Sequence, residues 1–108
     1  MSSATLAPRA RNDLLEAIRW IAKDNPAAAR ALRGTVVGAL GRIGSHPEIG
    51  TVRSDLAELP YRFLTLTGFP YVIVYNSQRF PPRVLRILHG ARDIPDVLRG
   101  GPEKFAAS

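Results

Sequence analysis

The chain has 108 residues, a formal charge of +6 and no cysteine. That length limits it to one domain with one core, and the missing thiols exclude disulfides and thiolate–metal sites. No apolar run approaches the roughly 18 residues that cross a bilayer and no secretory leader is visible, so a cytoplasmic protein is expected.

In chain order, Thr5-Leu6-Ala7 is the one extended candidate before the first helix. Pro8 suits a first helical position, where a missing N–H costs nothing. Leu14, Ile18 and Ile21, beside Leu15 and Ala17, recur at helical spacing and predict a buried stripe. Trp20 lies next to that stripe and is expected to anchor the helix on the sheet. Asn25 as N-cap and Pro26 at the next position end one helix and begin another. The second helix is predicted over residues 26–43, with Ala29, Leu32, Val36, Leu40 and Ile43 inward. Gly34, Gly38 and Gly41 lower its stability by about 1 kcal/mol each relative to Ala. They read either as places of close approach to the first helix or as points of fraying. Gly44 and Pro47 stop it.

Residues 46–59 show no periodicity and read as an irregular connection. Three strands follow. Arg62, Leu64 and Leu66 alternate with Phe63, Thr65 and Thr67; Gly68-Phe69-Pro70 is a turn; Tyr71, Ile73 and Tyr75 oppose Val72, Val74 and Asn76. The prolines of residues 76–82 predict a loop outside any ladder. Val84, Arg86 and Leu88 then oppose Leu85, Ile87 and His89. Short connections favour an antiparallel meander. Residues 94–98 read as a helical turn or an extended tail. Residues 1–99 are taken as one domain, and residues 100–108 as a flexible tail. The fold class is α+β: a helical hairpin on a small, mainly antiparallel sheet, in the order β-α-α-β-β-β.

The basic character comes from thirteen Arg against two Lys. Residues 60–99 hold six Arg and two Asp, four of the six net charges, which suits an anionic partner. The partner could equally be an acidic protein, and Arg enrichment also follows from a GC-rich genome. His89 could serve as a general acid or base, or be a hydrogen-bonded residue at a strand end. His46 sits in a loop, and two histidines so far apart offer no metal spacing, so neither metal nor cofactor is expected. Arg62, Arg86 and Arg92 form a phosphate clamp if they share a face; otherwise they are solvated, with Arg92 paired to Asp93. The tyrosines read as packing groups rather than stacking platforms.

The fragments Leu6-Ala7-Pro8-Arg9-Ala10-Arg11-Asn12-Asp13-Leu14, Ile21-Ala22-Lys23-Asp24-Asn25-Pro26-Ala27-Ala28-Ala29, Pro70-Tyr71-Val72-Ile73-Val74-Tyr75 and Leu85-Arg86-Ile87-Leu88-His89-Gly90-Ala91-Arg92-Asp93 together resemble the ParE/RelE toxin family of type II toxin–antitoxin systems. The resemblance covers residues 6–98 and lies nearer the ParE branch. A shortened first strand and the Pro81-Pro82 loop depart from it.

The resemblance implies a toxin held inactive by a cognate antitoxin that folds onto it, often in plasmid stabilisation. ParE-like members inhibit DNA gyrase; RelE-like members cut messenger RNA on the ribosome. The ribonuclease branch has two lysines on its second strand, where this chain has Arg62 and Leu64. Its arginine after the tyrosine of the third strand falls at Val72, and its final tyrosine at Leu98; only Arg92 matches. Leu and Val neither stabilise phosphorane charge nor move protons, so the reading leans away from an enzyme. Another ribonuclease arrangement among relatives would use His89 with Arg62, Arg86 and Arg92. A third alternative is a non-toxic subunit of an autorepressing complex. Arg62, Tyr71, Arg83, Arg86, Arg92 and Asp93 are the expected partner-binding residues.

Overall fold

The structure, a computed structural model, describes residues 2–100, with side chains up to residue 96. Beyond its first residue, the expected tail lies outside the described residues. The elements are β1 (Thr5–Leu6), α1 (Pro8–Ala22), α2 (Pro26–Ser45), a single 3-10 turn (Pro47–Ile49), β2 (Tyr61–Thr65), β3 (Tyr71–Asn76), β4 (Arg83–His89) and α3 (Gly90–Gly100). The sheet runs β1-β4-β3-β2, with β1 parallel to β4 and the other pairs antiparallel. This is the α+β hairpin-on-sheet architecture that the sequence predicts.

Local chemistry sets the helix ends. Pro8 opens α1 directly after the extended Ala7. The Asn25 Oδ1 accepts from the Ala28 amide at 3.0 Å and Pro26 follows it, so the break stands where sequence places it. A cap of this kind is worth about 1 kcal/mol. At the β2–β3 turn Gly68 adopts φ 82°, a left-handed conformation that a Cβ would strain, and Leu66 N–H donates to the Tyr71 carbonyl at 3.0 Å.

The helical hairpin covers one sheet face. Leu32, Val36, Ala39 and Ile43 of α2, with Ala10 and Ala17 of α1, pack on Leu66, Tyr71, Ile73, Tyr75, Val84 and Ile87. On the opposite face Leu56 and Ala57 meet Phe63, Val74, Leu85 and Leu88, with Ile94 of α3 beside them. Full burial of each large aliphatic side chain contributes about 1.5–3 kcal/mol.

Four expectations change. Strict alternation in β4 fails because a bulge lies opposite Val74 and Tyr75, leaving Leu85 without its own partner. Val84 therefore joins Ile87 on the helix face, and Leu85 joins Leu88 on the other. Trp20 does not anchor the helix on the sheet: it is 65% exposed, and Lys23 Nζ lies 5.1 Å from its ring centre. Gly34, Gly38 and Gly41 do not mark a close helix approach, since an added Cβ would meet nothing within 4 Å. The tight site is Gly44, where a Cβ would collide with the backbone of Ser2 and Ser3. Last, of the two readings of residues 94–98 the helical one holds, but they belong to a longer helix, α3, which runs through Pro95.

Candidate functional site

Two corners of the molecule hold the predicted site residues, one at each end of the β3–β4 hairpin. At the first, β4 passes directly into α3 through His-Gly-Ala-Arg-Asp. The His89 Nδ1 accepts from the Arg92 amide at 3.2 Å, and Asp93 Oδ2 accepts from the His89 amide at 2.8 Å. This is a reciprocal cap: each end of the first helical turn satisfies an amide on the other. The accepting Nδ1 must be unprotonated there. The imidazole also stands edge-on to the Tyr71 ring, with centres 5.4 Å apart.

Arg92 Nε donates to Asp93 Oδ1 at 3.1 Å. Burial pushes the Asp93 carboxyl up, but the bonds from Arg92 and the His89 amide, with the charges of Arg92 and Arg86, bring it below the usual value. Arg92 in turn is raised, first by its hydrogen bond to Asp93 and then by that carboxylate's charge.

Beside this cap lies a cavity of about 310 Å³ between α1, β4 and α3. Its charged walls are Asp13, Glu16 and Asp93 against Arg86 and Arg92, with Tyr71 and Trp20 alongside. Asp13 is the residue that sequence reasoning missed. Its Oδ2 accepts from Arg86 Nε at 2.8 Å and from the Ile87 amide at 2.9 Å, while Oδ1 accepts from Arg86 Nη2 at 3.2 Å. The β1 pairing stops at Val84, and the Asp13 carboxylate takes over as acceptor for β4 three residues on. The signal available in sequence was a lone Asp one position before the apolar stripe of the first helix.

Arg86 and Arg92 therefore share a cavity, but each already faces a carboxylate. The walls carry more negative than positive groups, and His89 is not among the lining residues. A phosphate entering here meets carboxylates as well as cations, which opposes the clamp expected from three arginines.

Arg62 is elsewhere. Its Nη1 donates to the carbonyls of Gly50 at 2.9 Å and Glu48 at 3.3 Å. The buried Tyr75 hydroxyl donates to the Pro47 carbonyl and accepts from the Gly50 amide at 2.8 Å. Burial raises the Tyr75 phenol, opposed by the Gly50 bond and the charge of Arg62. Arg62 and Tyr75 together fasten the 3-10 turn to the sheet. Gly50 is required there, since a Cβ would lie 2.7 Å from the Tyr75 hydroxyl. Arg83 is half-buried in β4, aligned with Thr5 on one side and Asn76 on the other. Tyr71 is buried, leaving only an edge in the cavity wall. Leu64 and Val72 pack against the apolar clusters of their faces. The Leu98 side chain and residues 101–108 of the expected tail lie outside what the structure describes. Among the described residues no group of three metal-ligating side chains forms, and no helix is long and apolar enough to cross a membrane.

Comparison with known proteins places the chain in a family. The chain is similar to Toxin RelE3 of Caulobacter vibrioides, 28% identical over 90 residues that cover 82% of this chain and 95% of the relative. Its fold matches a chain of the chromosomal ParDE TA system from P. aeruginosa with a TM-score of 0.67 at 21% identity, covering 82% of this chain and 96% of that one. Residues 4–94 match the family model of the ParE toxin of type II toxin-antitoxin system, parDE. With that match spanning α1, α2, the whole sheet and the capped corner, the chain belongs to the ParE toxin family of type II toxin–antitoxin systems.

Proposed function

We propose that this toxin binds and inhibits DNA gyrase in the cytoplasm, acts by occupancy rather than by chemistry of its own, and is neutralised by a cognate antitoxin. The observation that carries this reading is the commitment of the three arginines a ribonuclease would use. Arg86 is held by Asp13, Arg92 by Asp93 and Arg62 by two backbone carbonyls. A ribonuclease needs such groups free to meet charge that develops on phosphate.

An antitoxin has a fitting place on the helical hairpin. Leu14, Leu15, Ile18, Ala22, Pro26 and Ala29 floor a groove of about 560 Å³ whose rim carries Arg30 and Arg33. Apolar floor and basic rim complement an amphipathic acidic segment that orders on binding.

Induction of the chain in bacteria tests the function. The expected result is filamentation with gyrase trapped on cleaved DNA, and translated messenger RNA left whole. Rapid loss of translated messages, abolished by His89→Ala or Arg92→Ala, would replace this reading with a ribonuclease. Normal growth alongside tight antitoxin binding would leave only a repressor subunit.

A further inference from the structure

The large exposed apolar side chains fall into two groups. Leu15, Trp20 and Val37 lie on the helical hairpin, whereas Ile49, Leu59 and Phe80 lie at the far end of the sheet from the His89 corner. Phe80 is the most exposed of these, at 86%. Exposure alone needs no explanation; what sets Phe80 apart is that the turn carrying it is tied at both ends.

The turn is fixed from both sides. Ser77 donates to the Pro60 carbonyl through its amide at 2.9 Å and its hydroxyl at 2.8 Å. Gln78 N–H donates to Asn76 Oδ1 at 3.0 Å, and the Pro82 carbonyl accepts from the Thr5 amide at 2.9 Å. Between these ties Arg79 and Phe80 project into solvent, and Arg79 makes no ion pair among the described residues. At the base of the turn Leu59, Ser77, Gln78 and Arg62 line a cavity of about 180 Å³. An exposed aromatic on a tied turn with a small hollow at its base is the form of an interface anchor, because little loop freedom is left to lose on binding.

We propose that the Arg79-Phe80 tip, with the Leu59 hollow at its base, is the surface through which this toxin grips its protein target. The inference rests on the reading that the toxin acts by binding. The fitting partner surface is an apolar pocket for the Phe80 ring with a carboxylate on its rim for Arg79. A nucleic-acid surface fits less well. It calls for further free cations beside the tip, yet Arg62 is turned inward to backbone carbonyls and Glu48 lines the hollow.

Purified wild-type toxin and Phe80→Ala are compared for binding to purified gyrase and to the antitoxin, with melting temperature as the folding control. The expected result is a roughly 30-fold weaker affinity for gyrase, unchanged antitoxin affinity and an unchanged melting temperature. Arg79→Glu should weaken gyrase binding by a smaller factor, and Arg79→Lys should largely restore it. If wild type and Phe80→Ala bind gyrase equally, the tip proposal falls while the proposed function stands. If Phe80→Ala loses the antitoxin or self-association instead, the tip belongs to that contact and the proposal is overturned. A wild-type chain that does not bind gyrase overturns the proposed function and the tip's role together.

Discussion

The two ends of the β3–β4 hairpin contrast in how their side chains are satisfied. At the His89 end, the charged and polar groups are bonded to one another or to the backbone: Asp13 to Arg86 and the Ile87 amide, Asp93 to Arg92 and the His89 amide, His89 to the Arg92 amide. At the Phe80 end, an aromatic ring stands in the open on a tied turn, 86% exposed. A residue type that could do chemistry says little until its bonds are counted. The motif-rich corner holds β4, α1 and α3 together, whereas the inconspicuous turn leaves its most exposed side chains without partners among the described residues.

The largest effect expected from this contrast is at Asp13. Asp13→Ala leaves the Arg86 guanidinium unpaired at a site where both side chains are only about one-seventh exposed, at 13% and 15%. It also orphans the Ile87 amide. The loss should be about 3 kcal/mol, seen as a lower urea midpoint at unchanged slope. Phe80→Ala should change the same midpoint by less than about 0.5 kcal/mol. Equal losses in the two variants would break the contrast, because the tip would then be a structural element like the corner.

A smaller effect sharpens the comparison within the tip end itself. Behind the exposed turn, the Tyr75 hydroxyl joins the Pro47 carbonyl to the Gly50 amide. Tyr75→Phe removes both bonds from a buried site and should cost about 1–2 kcal/mol. Hydrogen exchange should show the Gly50 amide losing protection ahead of the sheet. If Gly50 keeps its protection, the 3-10 turn is held by Arg62 and apolar packing, and the Tyr75 bridge adds nothing.

Much of the fold was legible because its signals are local. Pro8, Asn25-Pro26 and Gly68 each act within a few residues of themselves, and the 3.6-residue stripe of α2 recurs as Ala29, Leu32, Val36 and Ile43 in the core. The errors came where a distant partner decides. The β4 bulge is invisible in Val84-Leu85-Arg86-Ile87-Leu88, whose alternation is plausible in one register. The length of α3 was missed because Gly90 and Pro95 both oppose helix, while the outcome also involves the His89–Asp93 cap and packing of Ile94 beneath the sheet. The site followed the same pattern. Arg92 with Asp93 was readable as neighbours, but Asp13 with Arg86 joins residues 73 apart, and the inward turn of Arg62 depends on an aperiodic loop.

The smallest effect concerns acid, and its sign is what matters. The folded Asp93 carboxyl sits below its usual value, so its ionised form is favoured by the native state. The unfolded carboxyl titrates near 3.9. Above that pH the contribution of Asp93 is fully present; it declines as pH falls through the folded value, where both states become protonated. Asp93→Asn keeps an oxygen for the His89 amide and loses the charge. The stability difference between wild type and Asp93→Asn should therefore be constant from neutral pH to about 5 and then shrink below 3.9. Its size should stay under about 1 kcal/mol, because Arg92 is 62% exposed and the pair is screened by solvent. A difference that widens towards acid would mean that burial dominates at Asp93, and the corner would then be a strained site of the kind catalysis uses rather than a satisfied cap.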